Sequence, residues 1–224
     1  MSTSPRRPPP RSWREFVVEV NDGIISTAGI VEGLVAADVR THTVLISAAV
    51  ALVVGSVTTG AARFTESAYL RDAAMQAVED ERRQIALSPD AEQAELAAIY
   101  VDKGLSENLA EQVAAELMAV DPLGAHIEEE LDVDEDDFRP PLIAAGLSAL
   151  AYAAGAVLPI LISLMVPAHS RLLSTGIAVV AALAITSWVG ATIGNTSPVR
   201  TVMRTVVIGV ATIVLAAGVG QLLD

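Results

Sequence analysis

The side chains best suited to holding a cation are gathered in one stretch of this chain. Glu81 and Gln84 stand three residues apart, Glu92 and Glu95 repeat that interval, and His126 and Glu130 are four apart. On helices these spacings put both members of a pair toward one side, so three helices would present three pairs of oxygen or nitrogen donors. Divalent ions ask for that kind of gathering. Carboxylate and amide oxygens serve hard ions, and an imidazole shifts the preference toward transition metals over magnesium or calcium. The competing reading is a solvated acidic face, the usual state of glutamates on a water-exposed helix. The later cluster Asp132, Asp134, Glu135, Asp136 and Asp137 fits a solvated loop, because it lacks the glycine and the twelfth-position glutamate of an EF-hand loop.

A second group of acids sits in apolar surroundings. Asp22 lies within Asn21-Asp22-Gly23-Ile24-Ile25, several residues into the first apolar run, and Glu32 lies deeper. Ionisable groups in a membrane span are costly and face a cavity, a partner or an ion path, and short side chains cannot snorkel to water as Lys and Arg do. Glu15, Glu19 and Asp22 share one helical face, which makes either an acidic lane at the mouth of a path or, for the first two, a position among lipid headgroups. Gly23 permits a local break where freed carbonyls bind a cation. Exchange of a proton on Asp22 for metal would be an antiport step.

Composition says where these groups must work. The 224 residues are 52% hydrophobic but only 4% aromatic, and the mean hydropathy is +0.51, a balance that points to lipid. The formal net charge is −13, concentrated between Glu66 and Asp137, so the chain is apolar spans plus an acidic insert. No basic stretch is large enough to track phosphates, which argues against nucleic acid. Cysteine is absent, which leaves oxygen, imidazole or thioether donors for any metal. There is no Gly-rich phosphate loop and no plausible Ser-His-Asp arrangement among three histidines, at 42, 126 and 169, so an enzyme is not expected. His42 and His169 are expected in external loops.

Five stretches, 16 to 37, 44 to 64, 142 to 166, 172 to 194 and 201 to 222, are long enough for a hydrocarbon core that needs about 20 helical residues. The expected class is therefore an all-α integral membrane protein of five transmembrane helices, with a cytosolic helical metal-binding domain between the second and third. Residues 1–14 form a cytosolic tail without a secretory signal, 15–64 the first two spans, 65–139 the acidic domain, and 140–224 the last three spans. A cytosolic N-terminus puts most arginines inside and only Arg40 and Arg171 outside, the asymmetry the positive-inside rule requires; the C-terminus is then external, and a bacterial plasma membrane fits. Small residues recur at packing distances, as in Gly55 and Gly60 or Gly190 and Gly194, and a symmetric dimer is the natural way to complete a pathway.

Within the insert, Ile99, Leu105, Leu109, Val113 and Leu117 recur at helical spacing, and Ser88-Pro89-Asp90 and Gly104-Leu105-Ser106 supply start signals. Nothing between Arg63 and Leu87 is Gly or Pro, so the second span is expected to continue unbroken into the first helix of the insert.

From Trp13 to Leu223 the chain resembles the vacuolar iron transporter family. Asn21-Asp22-Gly23-Ile24 looks like that family's first-span signature. Glu81-Arg82-Arg83-Gln84-Ile85, followed by Pro89, Glu92, Glu95 and Leu96, resembles its cytosolic metal-binding helices. Ile99-Tyr100, Gly104-Leu105, Glu116-Leu117-Met118 and Glu128-Glu129-Glu130-Leu131 continue the pattern, and Arg204 to Leu223 resembles the last span. The resemblance implies a homodimer exporting ferrous iron, or another divalent transition metal such as manganese, from the cytosol in exchange for protons. Metal is then the substrate, with no permanently bound cofactor. Asp22 would be a pathway residue, with Glu19 and Glu32 beside it, and Glu81, Glu92, Glu95 and Glu130 metal ligands. The departures are Val57 and Ala61, where the family has a Met and a Glu, Gln84 in place of a Glu, and His126 where family members have Met. Loss of the two second-span groups favours an alternative, a membrane-anchored metal sensor or buffer that does not conduct. A third possibility is a structural protein whose acidic domain binds a basic partner.

Overall fold

A computed structural model describes residues 11–129 and 139–223, and all the regular structure in them is helical. Eight helices follow in order: α1 (Arg11–Ala36), α2 (Thr41–Leu87), α3 (Pro89–Asp102), α4 (Glu107–Val120), α5 (Pro122–Glu129), α6 (Pro141–Met165), α7 (Ala168–Ile193) and α8 (Pro198–Leu223). They fall into two compact units, one from the residues up to Phe64 and from Leu142 onward, the other Thr65–Pro141. Four helices, α2, α6, α7 and α8, are long and apolar enough to cross a membrane. α1 is long enough, but it carries Glu15, Glu19, Asp22 and Glu32 along its 26 residues.

The helices stop for local reasons. α1 and α7 each end on a residue in left-handed backbone, Asp38 at φ 47° and Asn195 at φ 51°, types whose short polar side chains tolerate that region. The N–H beyond each reaches back to a carbonyl of the last turn, Val39 to Leu34 at 3.1 Å and Thr196 to Ala191 at 3.0 Å, satisfying acceptors the helix leaves open. α3 closes the same way at Gly104, with φ 101°, and Leu105 N–H on Tyr100 O at 3.1 Å. Gly104 is thus a stop for α3, and the start signal for α4 is Ser106 alone. α2 runs unbroken for 47 residues, as the lack of Gly and Pro after Arg63 anticipates.

In the first unit, α1 packs against α7 and α8. Against α7 it is antiparallel: Val17 meets Gly190, Asn21 accepts a hydrogen bond from Thr186, and Ile24 and Ala28 pack on Leu183 and Val179. Against α8 it is parallel, with Ile25 near Gly209, Gly29 near Thr212 and Ala216, and Gly220 on Gly33 and Ala36. α2 and α6 run antiparallel, Val44 and Ala48 packing toward Ile160 while Gly55 meets Tyr152 and Gly60 meets Ala145. Where α1 crosses α6, a Cβ on Gly23 would collide with the Tyr152 carbonyl and one on Gly155 with the Val20 carbonyl. Backbones approach this closely only through glycine.

Two expectations change. His42 and His169 lie within α2 and α7, not in loops, and the α7 helix starts early enough to include Arg171. Arg171 is buried, donating to Thr41 Oγ1 at 3.2 Å and to the Val166 carbonyl at 3.4 Å.

Candidate metal centre

The second unit is held by a small core of Leu96, Ala97, Ala110 and Ala114, with Tyr100, Leu105, Leu117, Met118 and Ala125 around it. Alanines form the seam between α3 and α4 and let the two helices approach closely, which leaves Leu109, expected inside by its spacing, half exposed. α5 is tied to α3 by polar contacts. Tyr100 Oη donates to Glu129 Oε1 at 2.9 Å, Lys103 forms an ion pair with the same carboxylate, and its ammonium sits 5.4 Å from the Tyr100 ring centre. At the start of α5, Asp121 Oδ1 accepts from the Gly124 N–H at 3.0 Å, capping a helix too short to be stable alone.

This frame brings Glu81 of α2, Glu92 of α3 and His126 of α5 together. Each offers a donor atom, and the three atoms lie within 4.8 Å of one another. His126 Nδ1 is 3.2 Å from Glu81 Oε1. All three side chains are buried, His126 completely, Glu81 to 5% exposure and Glu92 to 7%. Two carboxylates so close repel each other and resist desolvation, so burial needs a compensating positive charge. A divalent ion would supply it, as in part would a protonated His126, and two carboxylate oxygens with one imidazole nitrogen match iron, manganese or zinc better than calcium or magnesium.

The other sequence candidates separate from this group. Gln84 and Glu95, each three residues on from a buried glutamate, are exposed. A helix turns about 100° per residue, so a neighbour three along points roughly 60° away, and the burial boundary falls between them. Glu130 lies outside the described residues, as does the Asp132–Asp137 cluster.

In the first unit the acids do not converge. Asp22 is exposed, accepting from Ser26 Oγ at 3.3 Å. Glu19 is half-buried, and Glu15 pairs with Arg63. Glu32 is fully buried, and neither of its carboxylate oxygens meets hydrogen-bond geometry. The polar groups bearing on it are the Thr175 hydroxyl and the Arg171 guanidinium. Neither was singled out from the sequence. The signal was the polar spacing on α7, where Arg171, Thr175 and Ser187 fall at multiples of four and are all buried. Val57 and Ala61 are exposed on α2.

Comparison with known proteins gives one answer. The chain is 29% identical over 211 residues to a vacuolar iron transporter of Acanthamoeba castellanii, covering 93% of this chain and 77% of that one. It is 26% identical to vacuolar iron transporter 2 of rice, Oryza sativa subsp. japonica, over 93% and 86% of the two chains, and 25% identical to vacuolar iron transporter 1 of Tulipa gesneriana over 88% and 81%. The model of the VIT family matches residues 13–221. With nearly the whole chain matched, from ahead of Asp22 to the end of α8, the protein belongs to the VIT family.

Proposed function

We propose that this protein is a transporter of divalent transition metal, ferrous iron first and manganese second, carrying the ion out of the cytosol in exchange for protons. The observation that carries the reading is the convergence of Glu81, Glu92 and His126 from three helices into one buried site in a chain of this family. Its relatives are named for iron transport. Glu81, Glu92 and His126 capture the ion, with Gln84 and Glu95 as further donors at its approach and Glu130, outside the described residues, kept as a ligand on the family resemblance alone. Asp22 is the pathway carboxylate and the proton exchanger, with Glu19 and Glu32 on the same helix.

α1 acts as the fifth span in this reading. It is parallel to α8 and antiparallel to α7, the directions an alternating five-span chain requires. An exposed Asp22 on such a helix is a reason to invoke a homodimer. A charged side chain at mid-membrane costs about 2.5–3.5 kcal/mol on insertion scales, a cost removed when a second copy encloses it in a polar path. The arginine asymmetry supports an orientation with the N-terminus and the 65–139 domain in the cytosol and the C-terminus outside, and the cell membrane is the membrane this reading assigns.

The test is metal flux into proteoliposomes of the full chain with a pH gradient. Metal uptake that acidifies the exterior and is lost in Asp22→Asn supports antiport; equal flux in that variant refutes the role of Asp22. A second reading rests on Val57 and Ala61, which offer no ligand atoms where the resemblance calls for a Met and a Glu. The protein then binds metal without conducting it, and the same assay shows binding but no flux.

A further inference from the structure

We propose that the first unit carries a binding site for a phosphate group, supplied by an anionic phospholipid headgroup or by soluble phosphate. A cavity of about 420 Å³ opens where the N-terminal part of α1, the end of α7 and the start of α8 meet. Three arginines line it, Arg14, Arg200 and Arg204, and no Asp or Glu is among the described residues that do. In a chain of net charge −13, that local reversal of sign needs a reason. The positive-inside rule explains arginines beside spans, but not a concave, hydroxyl-lined recess between them.

The floor of the recess is the second observation. Ser187 lines the cavity and is 1% exposed, yet its hydroxyl has no hydrogen-bond partner. A buried hydroxyl left unpaired costs stability, and a serine in a helix ordinarily turns back onto its own carbonyls, as Thr186 beside it does toward Ala182 at 2.9 Å. A rotamer change of Ser187 would let an oxygen-rich ligand in the recess accept from its hydroxyl, while Asn21 and Thr201 add polar groups to the lining. Arginine forks match phosphate oxygens in pairs. Depth fits a lipid as well as a free anion. Arg200 and Arg204 precede an uninterrupted apolar stretch of α8, so they stand at headgroup level while Val17, Val18 and Ala191 give the recess an apolar side.

The experiment is native mass spectrometry of the full chain, purified in detergent and offered phosphatidylglycerol or phosphatidylcholine, alongside thermal unfolding with and without inorganic phosphate. Preferential retention of phosphatidylglycerol is expected. It should fall about fivefold for each arginine removed in Arg200→Gln and Arg204→Gln, and several-fold in Ser187→Ala, a change small enough to leave the fold intact. Arg82→Gln with Arg83→Gln, which removes the same charge elsewhere, should leave it unchanged. Phosphate that raises the unfolding temperature and displaces the lipid identifies a site shared with the soluble anion; retention of the lipid without any phosphate effect identifies the headgroup as the occupant. Equal retention of both lipids with no phosphate effect, or equal losses in the control pair, overturns the proposal.

Discussion

The two units bury charge in opposite ways. In Thr65–Pro141 three ionisable side chains from three helices turn toward one point, so a single divalent ion could balance them all. In the apolar unit Glu32 is buried without a second carboxylate on it, faced by Thr175 and Arg171, and Asp22 is turned outward. The first pattern would suit reversible capture, since such a cluster is costly without a counter-charge and would be satisfied by one ion. The second sets one buried acid beside the protein's own guanidinium and a single hydroxyl, Arg171 and Thr175, with no gathering of donors around a point. Acid content alone does not bring donors to one point; convergence from separate elements does.

The comparison breaks most easily at the capture site. Glu92→Gln or His126→Ala should lower affinity for ferrous iron or manganese by about a hundredfold or more, since even outer partners of a ligand are worth about 10–100-fold; calorimetry on the full chain in detergent measures it. An unchanged affinity would mean the convergence is structural only. Next is the embedded charge. Arg171→Met removes the positive charge bearing on Glu32 and the bonds to Thr41 and Val166, and should destabilise the protein by about 1–3 kcal/mol. Adding Glu32→Leu should restore much of that loss in thermal unfolding. A double variant as unstable as the single one would show that the two residues act independently.

Smaller effects sharpen the contrast. Tyr100→Phe removes the hydrogen bond that ties α5 to α3 and should cost about 1 kcal/mol, with a several-fold loss of metal affinity through a looser His126. Metal at about a hundred times its dissociation constant stabilises the liganded form by about 2.7 kcal/mol. Hydrogen exchange should therefore slow in α3 to α5 on adding manganese while α6 to α8 stay unchanged. Smallest of all, Gln84→Ala and Glu95→Gln should shift affinity less than about threefold, because neither side chain is buried with the other three.

Much of this was legible in the sequence. Three apolar runs nearly free of charge correspond to α6, α7 and α8, the continuous α2 follows from an interval without helix breakers, and Glu81, Glu92 and His126 are all among the donors that the spacing offers. What spacing could not supply was azimuth. Pairs three apart share a side only roughly, so the partition of Glu81 from Gln84 and of Glu92 from Glu95 depended on where the third helix lay. Nor does the recurrence of Ile99, Leu105, Leu109, Val113 and Leu117 report that Ala97, Ala110 and Ala114 share the α3–α4 core with Leu96. Arg171 falls just ahead of the 172–194 span expected from the sequence, yet it lies inside α7. Its partners, Thr41 and Val166, lie where two chain segments converge, and no local pattern reports that.

The four-by-four meshing of α1 with α7 also sets what kind of genetic change the protein can absorb. Asn21 with Thr186, the Ile24–Ala28 pair with Leu183 and Val179, and Glu32 with Thr175 recede in step along two helices. Deleting one codon between Thr175 and Gly190 would swing everything beyond it by about 100° and set apolar faces against Asn21 or Glu32. Single-residue indels in that interval should be purged from natural variants, whereas the short connection between Ile193 and Pro198 should collect them.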